Sequence, residues 1–341
     1  MASDQPQTPA EGGSRVGRVV NGLLVALAFG LLGVVVYRNR SSIAEVASRP
    51  IDPRLLAPAL GCYLVAVIST FFRWYLLVRV IEPRFTPRAT LLLGFIGNVF
   101  NLVIPGAVGG DVIKGAYLAR MHIKRTQAIA SMVIDRILGL LGLFVLASIA
   151  GAFAWGGSPA VVHKLIVAAW VALAVGLMAL GAIFSQTISR LVPARALAGT
   201  KLGHVMAELR VMSATYRGRM GVVALAGAIS VANHALNVVS FYLVGLTLYP
   251  RMTTTLVDHF LLTPLVLFTM AVPLPFGALG LTEGVGKELL GLVDHPNGAL
   301  AMMGFRLIMY SVGLIGAVVY LVKLSEVRAL SSAARELEPA E

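Results

Sequence analysis

Two long apolar stretches of this chain are each interrupted by a short run of proline, glycine and charged residues. The interruptions are IPGAVGGDVIK at residues 104–114 and PLPFGALGLTEGVGK at residues 273–287. A helix broken inside a lipid bilayer frees backbone groups that hydrocarbon cannot satisfy, so such breaks persist only inside protein or beside a water-filled cavity. We therefore expect the functional site to lie at these two breaks.

The overall composition predicts a membrane protein. Of the 341 residues, 57% are hydrophobic and 13% are charged, which leaves too little polar surface for a soluble domain. A net charge of +12 suggests nucleic acid in a soluble protein, but here the Lys and Arg residues lie in short loops, as in oriented membrane proteins. The sequence predicts an all-α polytopic membrane protein with no nucleic-acid partner.

Six apolar segments reach the roughly 20 residues that a membrane-spanning helix needs. Residues 1–18 are polar and predicted to be a disordered cytoplasmic N-terminus, and residues 325–341 a cytoplasmic tail. An amphipathic pattern within residues 187–219 predicts a helix on the cytoplasmic surface. The six predicted spans are 19–37, 55–78, 127–155, 162–186, 220–248 and 299–324.

Each interrupted region consists of a longer first arm and a shorter second arm. The second arms, 112–122 and 284–293, cover only about 15 Å, half of the hydrocarbon core, and cannot cross alone. If both regions are hairpins that return to their own side, the cytoplasmic loops hold nearly three times as many Lys and Arg residues as the outer loops. If each region crosses once, the distribution is nearly even. The positive-inside rule therefore favours two re-entrant hairpins, with first arms 89–103 and 258–272 and both termini cytoplasmic.

This topology makes the two halves of the chain the same unit inserted in opposite directions. Residues 19–155 and 162–324 each read helix, helix, hairpin, helix, and both breaks contain Gly-Ala-apolar-Gly followed by an acid and a lysine. Inverted repeats with broken helices are typical of transporters. Close packing of helices is the alternative explanation for the glycines, but it requires neither the prolines nor the charges.

Charged residues inside the spans are the main candidates for function, because each costs at least about 2.5–3.5 kcal/mol to insert. Asp111 and Lys114 share a helix face. Asp111 equally suits simple stabilisation of a helix N-terminus, whereas Lys114 opposes the helix dipole and is expected to bind an anion together with the N–H groups of residues 110–113. Asp135 is expected to face Lys114, and Arg136 either reaches the cavity or extends to the interface.

The second hairpin repeats this arrangement. Glu283 and Lys287 match the spacing of an acid and a lysine on one helix face, and Arg306 lies well inside the last span. The simplest partner of Arg306 is Glu283 or Glu288, which leaves a purely structural ion pair as the alternative to a functional role. Arg73, in FFRWYLL, is interpreted as an interfacial anchor.

The predicted sites fall into two groups. Asn98 and Asn101 either contact a lipid headgroup or satisfy broken backbone. The chain shows no catalytic motif, no metal spacing such as HExxH and no phosphate loop, so no cofactor is expected. The substrate-binding and translocation candidates are Asp111, Lys114, Asp135, Arg136, Glu283, Lys287, Arg306, Asn98 and Asn101. The helix-break residues are Pro105, Gly106, Gly109, Gly110, Pro275, Gly277 and Gly280.

Four motifs in order resemble those of the lysylphosphatidylglycerol synthase transmembrane-region family, also called flippase-like domain proteins. They are NLVIPGAVGGDVIKGAYL, VIDRILGLLGL, PLPFGALGLTEGV and the arginine of GFRLIMYSVGLIG, and the resemblance covers about residues 20 to 325. The chain departs from the pattern at Lys114, where an arginine is expected, and at Ala278, where a glycine is expected. The resemblance implies a bacterial cytoplasmic-membrane protein, and aminoacyl transfer is not expected because the chain ends at Glu341.

Together these features predict a non-enzymatic protein that moves a lipid with an anionic or amphiphilic headgroup between leaflets. Phospholipids and polyprenyl or hopanoid-type lipids fit, and Asp135 or Glu283 could couple the movement to protons. One alternative is an accessory subunit that scaffolds a lipid-modifying enzyme or glycosyltransferase, which would then be a partner. Another is an intramembrane enzyme, although the chain shows no activated nucleophile. Association with further copies of the chain is left open.

Overall fold

The computed structural model describes residues 52–103, 109–185, 210–272 and 274–323, together with residues 23, 26–27, 29–30, 32–34 and 36–48. These residues form helices joined by short turns. The predictions for residues 1–18, 187–209 and 325–341, and for Pro105 and Gly106, fall outside the described residues.

Ten helices with defined bounds follow one another in the described part of the chain, and residues 210–216 and the described residues among 23–38 are also helical. A kinked turn, Pro275–Ala278, separates the eighth from the ninth. The helices are α1 (Arg40–Ala47), α2 (Pro53–Ile81), α3 (Pro87–Val103), α4 (Gly109–Arg120), α5 (Arg125–Ala154), α6 (Ala160–Phe184), α7 (Met220–Leu248), α8 (Leu256–Phe268), α9 (Leu281–Gly291) and α10 (Gly298–Val322).

Within the described residues, five helices are long and apolar enough to cross a membrane, namely α2, α5, α6, α7 and α10, with α5 and α7 extended by further helical residues. This confirms five of the six predicted spans. The remaining span, 19–37, lies partly outside the described residues, and its described residues are helical. The protein is thus a helical, multi-pass membrane protein.

Local capping explains where several helices begin. Asp52 accepts a hydrogen bond from the backbone N–H of Arg54 (2.9 Å) at the start of α2, and Asn297 accepts one from Leu300 (3.1 Å) at the start of α10. Thr255 and Asp258 form a reciprocal capping box at the start of α8. Such side chains satisfy backbone donors that the first helical turn leaves free.

Helices α2 and α7 form an antiparallel pair at the centre of the fold. Ser240 Oγ donates to the carbonyl oxygen of Ala59 (2.7 Å), and Arg73 Nη1 donates to Ser230 Oγ (3.0 Å). Residues near the start of α2 therefore contact residues later in α7, and residues later in α2 contact residues nearer the start of α7. As a result, the C-terminal ends of the two helices lie at opposite ends of the pair.

Helices α3 and α4 form the first hairpin. A Cβ on Gly97 would lie 3.2 Å from Gly110 Cα, whereas an uninterrupted helix would hold these residues about 20 Å apart. At the other end of the hairpin, the rings of Phe85 and Tyr117 have centroids 6.3 Å apart. The chain therefore reverses between the arms and returns to the end from which it started.

Helices α8 and α9 form the second hairpin in the same way. Near its tip, Thr269 Oγ1 donates to Thr282 Oγ1 (3.1 Å), and at its base the rings of His259 and His295 have centroids 5.6 Å apart. Helix α2 leads into the first hairpin and α7 into the second. Because α2 and α7 are antiparallel, the two hairpins open at opposite ends of the central pair.

The first arm of each hairpin packs against the last long helix of the other half. Phe100 of α3 contacts Tyr320 of α10, with ring centroids 5.5 Å apart, and Phe144 of α5 contacts Phe268 of α8 at 5.2 Å. The two halves therefore exchange equivalent contacts.

The described end of the predicted amphipathic segment, residues 210–216, buries one face against the protein. Met212 and Tyr216 are buried in a cluster with Leu77 and Ile134, and the Tyr216 hydroxyl donates to the carbonyl oxygen of Leu77 (3.1 Å). The apolar face of residues 210–216 therefore packs against α2 and α5. Its remaining residues, 187–209, lie outside the described part of the chain.

Candidate functional site

Arg73 and Asp135 form a buried, two-pronged ion pair between α2 and α5. Nε of Arg73 lies 2.7 Å from Oδ1 of Asp135, and Nη2 lies 3.1 Å from Oδ2. Arg73 is only 5% exposed, so its prediction as an interfacial anchor is wrong. Asp135 also interacts electrostatically with Lys114, as expected, but its direct ion pair is with Arg73.

Asp111 and Arg136 form a second ion pair, which joins α4 to α5. Oδ2 of Asp111 lies 2.8 Å from Nε and 2.5 Å from Nη2 of Arg136. The side chains are 22% and 44% exposed, respectively, so this pair is open to solvent. Asp135 and Arg136, although neighbours in sequence, therefore serve different pairs, as their divergent directions on one helix require.

Lys114 is buried, and its ammonium contacts an aromatic ring. Its Nζ lies 4.6 Å from the centroid of Trp74, a cation–π geometry. Within the described residues, no carboxylate lies within 4.0 Å of this nitrogen, and the nitrogen donates no hydrogen bond to a protein acceptor. The fold thus holds a cation whose attraction for an anion is not cancelled by a direct ion pair.

The first break is held by Asn101. Its Oδ1 accepts a hydrogen bond from the backbone N–H of Gly110 (2.8 Å), so it satisfies broken backbone and that N–H is no longer open to a ligand. The expectation that the N–H groups of residues 110–113 all bind an anion is therefore wrong at its first position. Asn98, one turn away, buries its Nδ2 without a hydrogen-bond partner in the described chain.

Glu283 and Arg306 form a third ion pair, deep inside the second hairpin. Oε1 of Glu283 lies 2.5 Å from Nε of Arg306, and both side chains are buried. Arg306 also donates to the carbonyl oxygens of Phe276 (2.6 Å) and Gly277 (3.2 Å), while Glu283 Oε2 accepts from the N–H of Gly280 (2.6 Å). Arg306 has the expected partner Glu283, and together they satisfy the backbone freed by the break.

The backbone of the second break adopts left-handed conformations. Phe276, Gly277, Ala278 and Gly280 have φ values of 55°, 64°, 53° and 83°. Glycine adopts these angles readily, but Phe276 and Ala278 do so at a cost of about 1–2 kcal/mol each. The carbonyl contacts of Arg306 hold this strained turn between α8 and α9. Pro275, just before it, is buried.

Lys287 does not repeat the environment of Lys114. It is exposed and lies with Glu288 and Arg38 at a groove of about 540 Å³ between α9 and the described end of the first apolar segment. The remaining lining residues are Val34, Asn39, Gly280, Leu281, Gly284, Val285, Leu289 and Ala299. The matching spacing in the two hairpins therefore predicted the acids correctly, since each pairs with an arginine of the following helix, but it predicted the lysines wrongly.

Sequence reasoning missed the roles of Arg73, Ser230 and Trp74. For Arg73, its position in the sequence could have indicated burial. It lies more than two turns before α2 ends, and an interfacial anchor should lie nearer to a helix end. Within the described residues, no group of three His, Cys, Asp or Glu side chains could hold a metal ion.

A family model described as the lysylphosphatidylglycerol synthase TM region matches residues 19–317. The chain belongs to the lysylphosphatidylglycerol synthase TM region family. This match includes both hairpins and the three ion pairs described above, and it associates the protein with membrane lipids. No curated protein matches the sequence.

Proposed function

We propose that this protein moves a lipid with an anionic or amphiphilic headgroup between the leaflets of the bacterial cytoplasmic membrane. The observation that carries the proposal is the pair of helical hairpins that open at opposite ends of α2 and α7. Each hairpin has an acid–arginine pair joining its second arm to the following long helix. Together the two hairpins provide polar groups for a lipid headgroup on both sides of the membrane, which one hairpin alone does not.

The matched contacts of the two halves support an inverted repeat with re-entrant hairpins. The α3–α10 contact has its counterpart in α8–α5, and α2 and α7 pair with each other. Asp111 and Glu283 are both third residues of their helices, α4 and α9. We infer that six full spans and two re-entrant hairpins form the membrane domain, with the N- and C-termini in the cytoplasm.

The chemistry near the first hairpin fits a phosphate-bearing headgroup. Arg136 is accessible and presents a planar guanidinium that suits phosphate, while Lys114 adds a buried positive charge. A phosphate entering here replaces the carboxylate of Asp111 as a partner of Arg136. The lipid tails stay in the bilayer, so the protein lowers the cost of moving only the headgroup.

The proposed role is transport without chemical change of the lipid. Movement is then downhill or coupled to an ion, with Asp135 or Glu283 as a proton site. The strong ion pairs of these acids with Arg73 and Arg306 favour downhill movement, since protonation of either acid would leave a buried arginine uncompensated.

Purified protein in vesicles with a fluorescent anionic phospholipid tests the proposal. We expect leaflet exchange above that of empty vesicles, and we expect Arg136→Gln and Lys114→Met to slow it about tenfold, the effect of one lost charge-assisted contact. Lys164→Gln, which removes an exposed cation from α6, is the matched control and should exchange lipid normally. A hopanoid or polyprenyl phosphate in the same assay defines the headgroup range.

Absence of exchange for all these lipids contradicts the transport proposal and favours the scaffold alternative. A chemically altered lipid after incubation would instead indicate an enzyme. Equal rates for Arg136→Gln, Lys114→Met and the unmodified protein would contradict the proposed route.

A further inference from the structure

The groove beside α9 combines a charged mouth with an apolar floor. At one end lie Arg38, Lys287 and Glu288, all exposed. Deeper in the groove lie Gly284 of α9 and Gly280, the residue that immediately precedes α9. From Lys287 to Gly280 the helix axis runs about 10 Å, so the groove extends well below its charged mouth.

The glycine at the centre of the groove leaves open space. A Cβ built on Gly284 would meet no atom within 4 Å, so the space directly in front of this glycine is open in the described structure. Val34 of the first apolar segment and Val285 and Leu289 of α9 provide apolar walls. This arrangement suits a hydrocarbon chain lying along α9.

The charges at the mouth do not neutralise one another. Within the described residues, the side chains of Arg38, Lys287 and Glu288 form neither an ion pair nor a hydrogen bond with a protein group. Two cations face one acid, so the mouth has a net positive charge. A phosphate between Arg38 and Lys287 would complement both cations.

The mouth also lies near a defined connection between the first apolar segment and α10. Asn39 Oδ1 accepts a hydrogen bond from Asn297 Nδ2 (2.8 Å), which fixes the two sides of the groove at one end. Arg38 precedes Asn39, so this bond holds Arg38 beside the mouth. The groove is therefore built from two elements held together rather than from a single helix surface.

We propose that this groove binds one phospholipid, with its phosphate between Arg38 and Lys287 and an acyl chain beside Gly280 and Gly284. The inference deepens the proposed function and rests on its topology, which places this mouth at the outer leaflet. The groove is then the outer lipid site of the transport route. It is separate from the Arg136 and Lys114 cluster of the first hairpin.

Native mass spectrometry of the purified protein, titrated with phosphatidylglycerol and with diacylglycerol, tests the site by binding alone. We expect phosphatidylglycerol to bind and diacylglycerol, which lacks the phosphate, to bind at least tenfold more weakly. Arg38→Gln and Lys287→Gln should each weaken phosphatidylglycerol binding about tenfold. Lys164→Gln should leave it unchanged.

Gly284→Leu tests the floor of the groove. Its side chain enters open space, so the protein should fold normally while the groove is filled and phosphatidylglycerol affinity falls about tenfold or more. Gly291→Leu, at the other end of α9 and also facing open space, is the matched control. Thermal unfolding of both variants checks that the fold is retained.

Equal phosphatidylglycerol binding by Gly284→Leu and Gly291→Leu would overturn the inference, as would diacylglycerol binding as tight as phosphatidylglycerol binding. Failure of the transport proposal looks different. In that case, phosphatidylglycerol binds in the groove and depends on Lys287 and Gly284, but vesicles with the protein exchange no lipid.

Discussion

The two hairpins place an acid and an arginine at equivalent positions but surround them differently. In the first hairpin, the side chains of Asp111 and Arg136 are partly exposed. In the second, Glu283 and Arg306 are buried, and both also bond to the backbone of the break. The acid–arginine ion pair is therefore an accessible polar site in the first hairpin, whereas in the second it stabilises the backbone of the break.

This difference follows from how each break is closed. In the first hairpin, the side chain of Asn101 accepts a hydrogen bond from the backbone N–H of Gly110. The second hairpin uses Arg306 itself to satisfy two carbonyl groups. A mutation of the first pair should therefore alter lipid movement, whereas a mutation of the second should alter folding.

The largest expected effect comes from Arg306→Met. It leaves the Glu283 carboxylate buried without its partner, and loss of one member of a buried pair typically costs about 3–5 kcal/mol. Thermal unfolding in detergent measures the change. The same substitution at Arg136 is the control and should cost no more than about 1 kcal/mol, because that pair is exposed to solvent. Equal destabilisation by the two substitutions would show that the hairpins do not differ in this way.

Gly110→Ala should destabilise the first hairpin by about 1–3 kcal/mol, a typical cost of overpacking. Its Cβ would lie 2.6 Å from the carbonyl oxygen of Gly97, a rigid backbone contact between the arms. Gly284→Ala in the second hairpin should leave stability unchanged or raise it by about 0.5–1 kcal/mol, because its Cβ meets open space. Chemical unfolding compares the two variants, and a stable Gly110→Ala protein would contradict the close approach of α3 and α4.

Ala278→Gly should stabilise the second break by about 0.5–1 kcal/mol. Glycine removes the penalty of the left-handed conformation at φ 53°, although it also raises the entropy of the unfolded chain. The unfolding midpoint measures the gain. A lower midpoint for Ala278→Gly would indicate that the packing of the alanine methyl group stabilises the protein more than relief of the backbone strain does.

The base of the second hairpin should respond to pH. Burial, and to a lesser extent repulsion from His259, lowers the pKa of His295 to about 4 in the loop between α9 and α10. Because an unfolded histidine takes up a proton near pH 6.5, the stabilisation is complete above that pH and declines as pH falls toward 4. Unfolding midpoints between pH 7 and pH 4.5 should fall less for His295→Gln, and parallel curves for the two proteins would contradict this assignment.

The membrane spans were predictable because their signal is local. Hydrophobic length placed α2, α5, α6, α7 and α10 within a few residues of their observed bounds, since each needs only enough apolar side chains to span lipid. Proline, glycine and charge marked the breaks for a similar reason. At the second break, the left-handed angles of Gly277 and Gly280 agree with that prediction.

The partners of the charged residues were less predictable, because they depend on how distant helices cross. The sequence suggested Glu283 or Glu288 as the partner of Arg306, and the structure shows Glu283. Nothing in the sequence indicated that Arg73 would reach Asp135, because that contact requires α2 to pass beside α5. For the same reason, spacing alone suggested equal roles for Lys114 and Lys287, although one is buried and the other exposed.

Cysteine accessibility tests most directly the claim that the hairpins re-enter the membrane from opposite sides. In a Cys62→Ala background, single cysteines are introduced by Arg84→Cys, Arg120→Cys, Arg251→Cys and Asp294→Cys, all at exposed positions. A membrane-impermeant thiol reagent is then applied to intact cells and to inverted membrane vesicles. We predict labelling at 84 and 120 from the cytoplasmic side alone and at 251 and 294 from the outer side alone. Labelling of 84 and 120 from different sides would contradict the account.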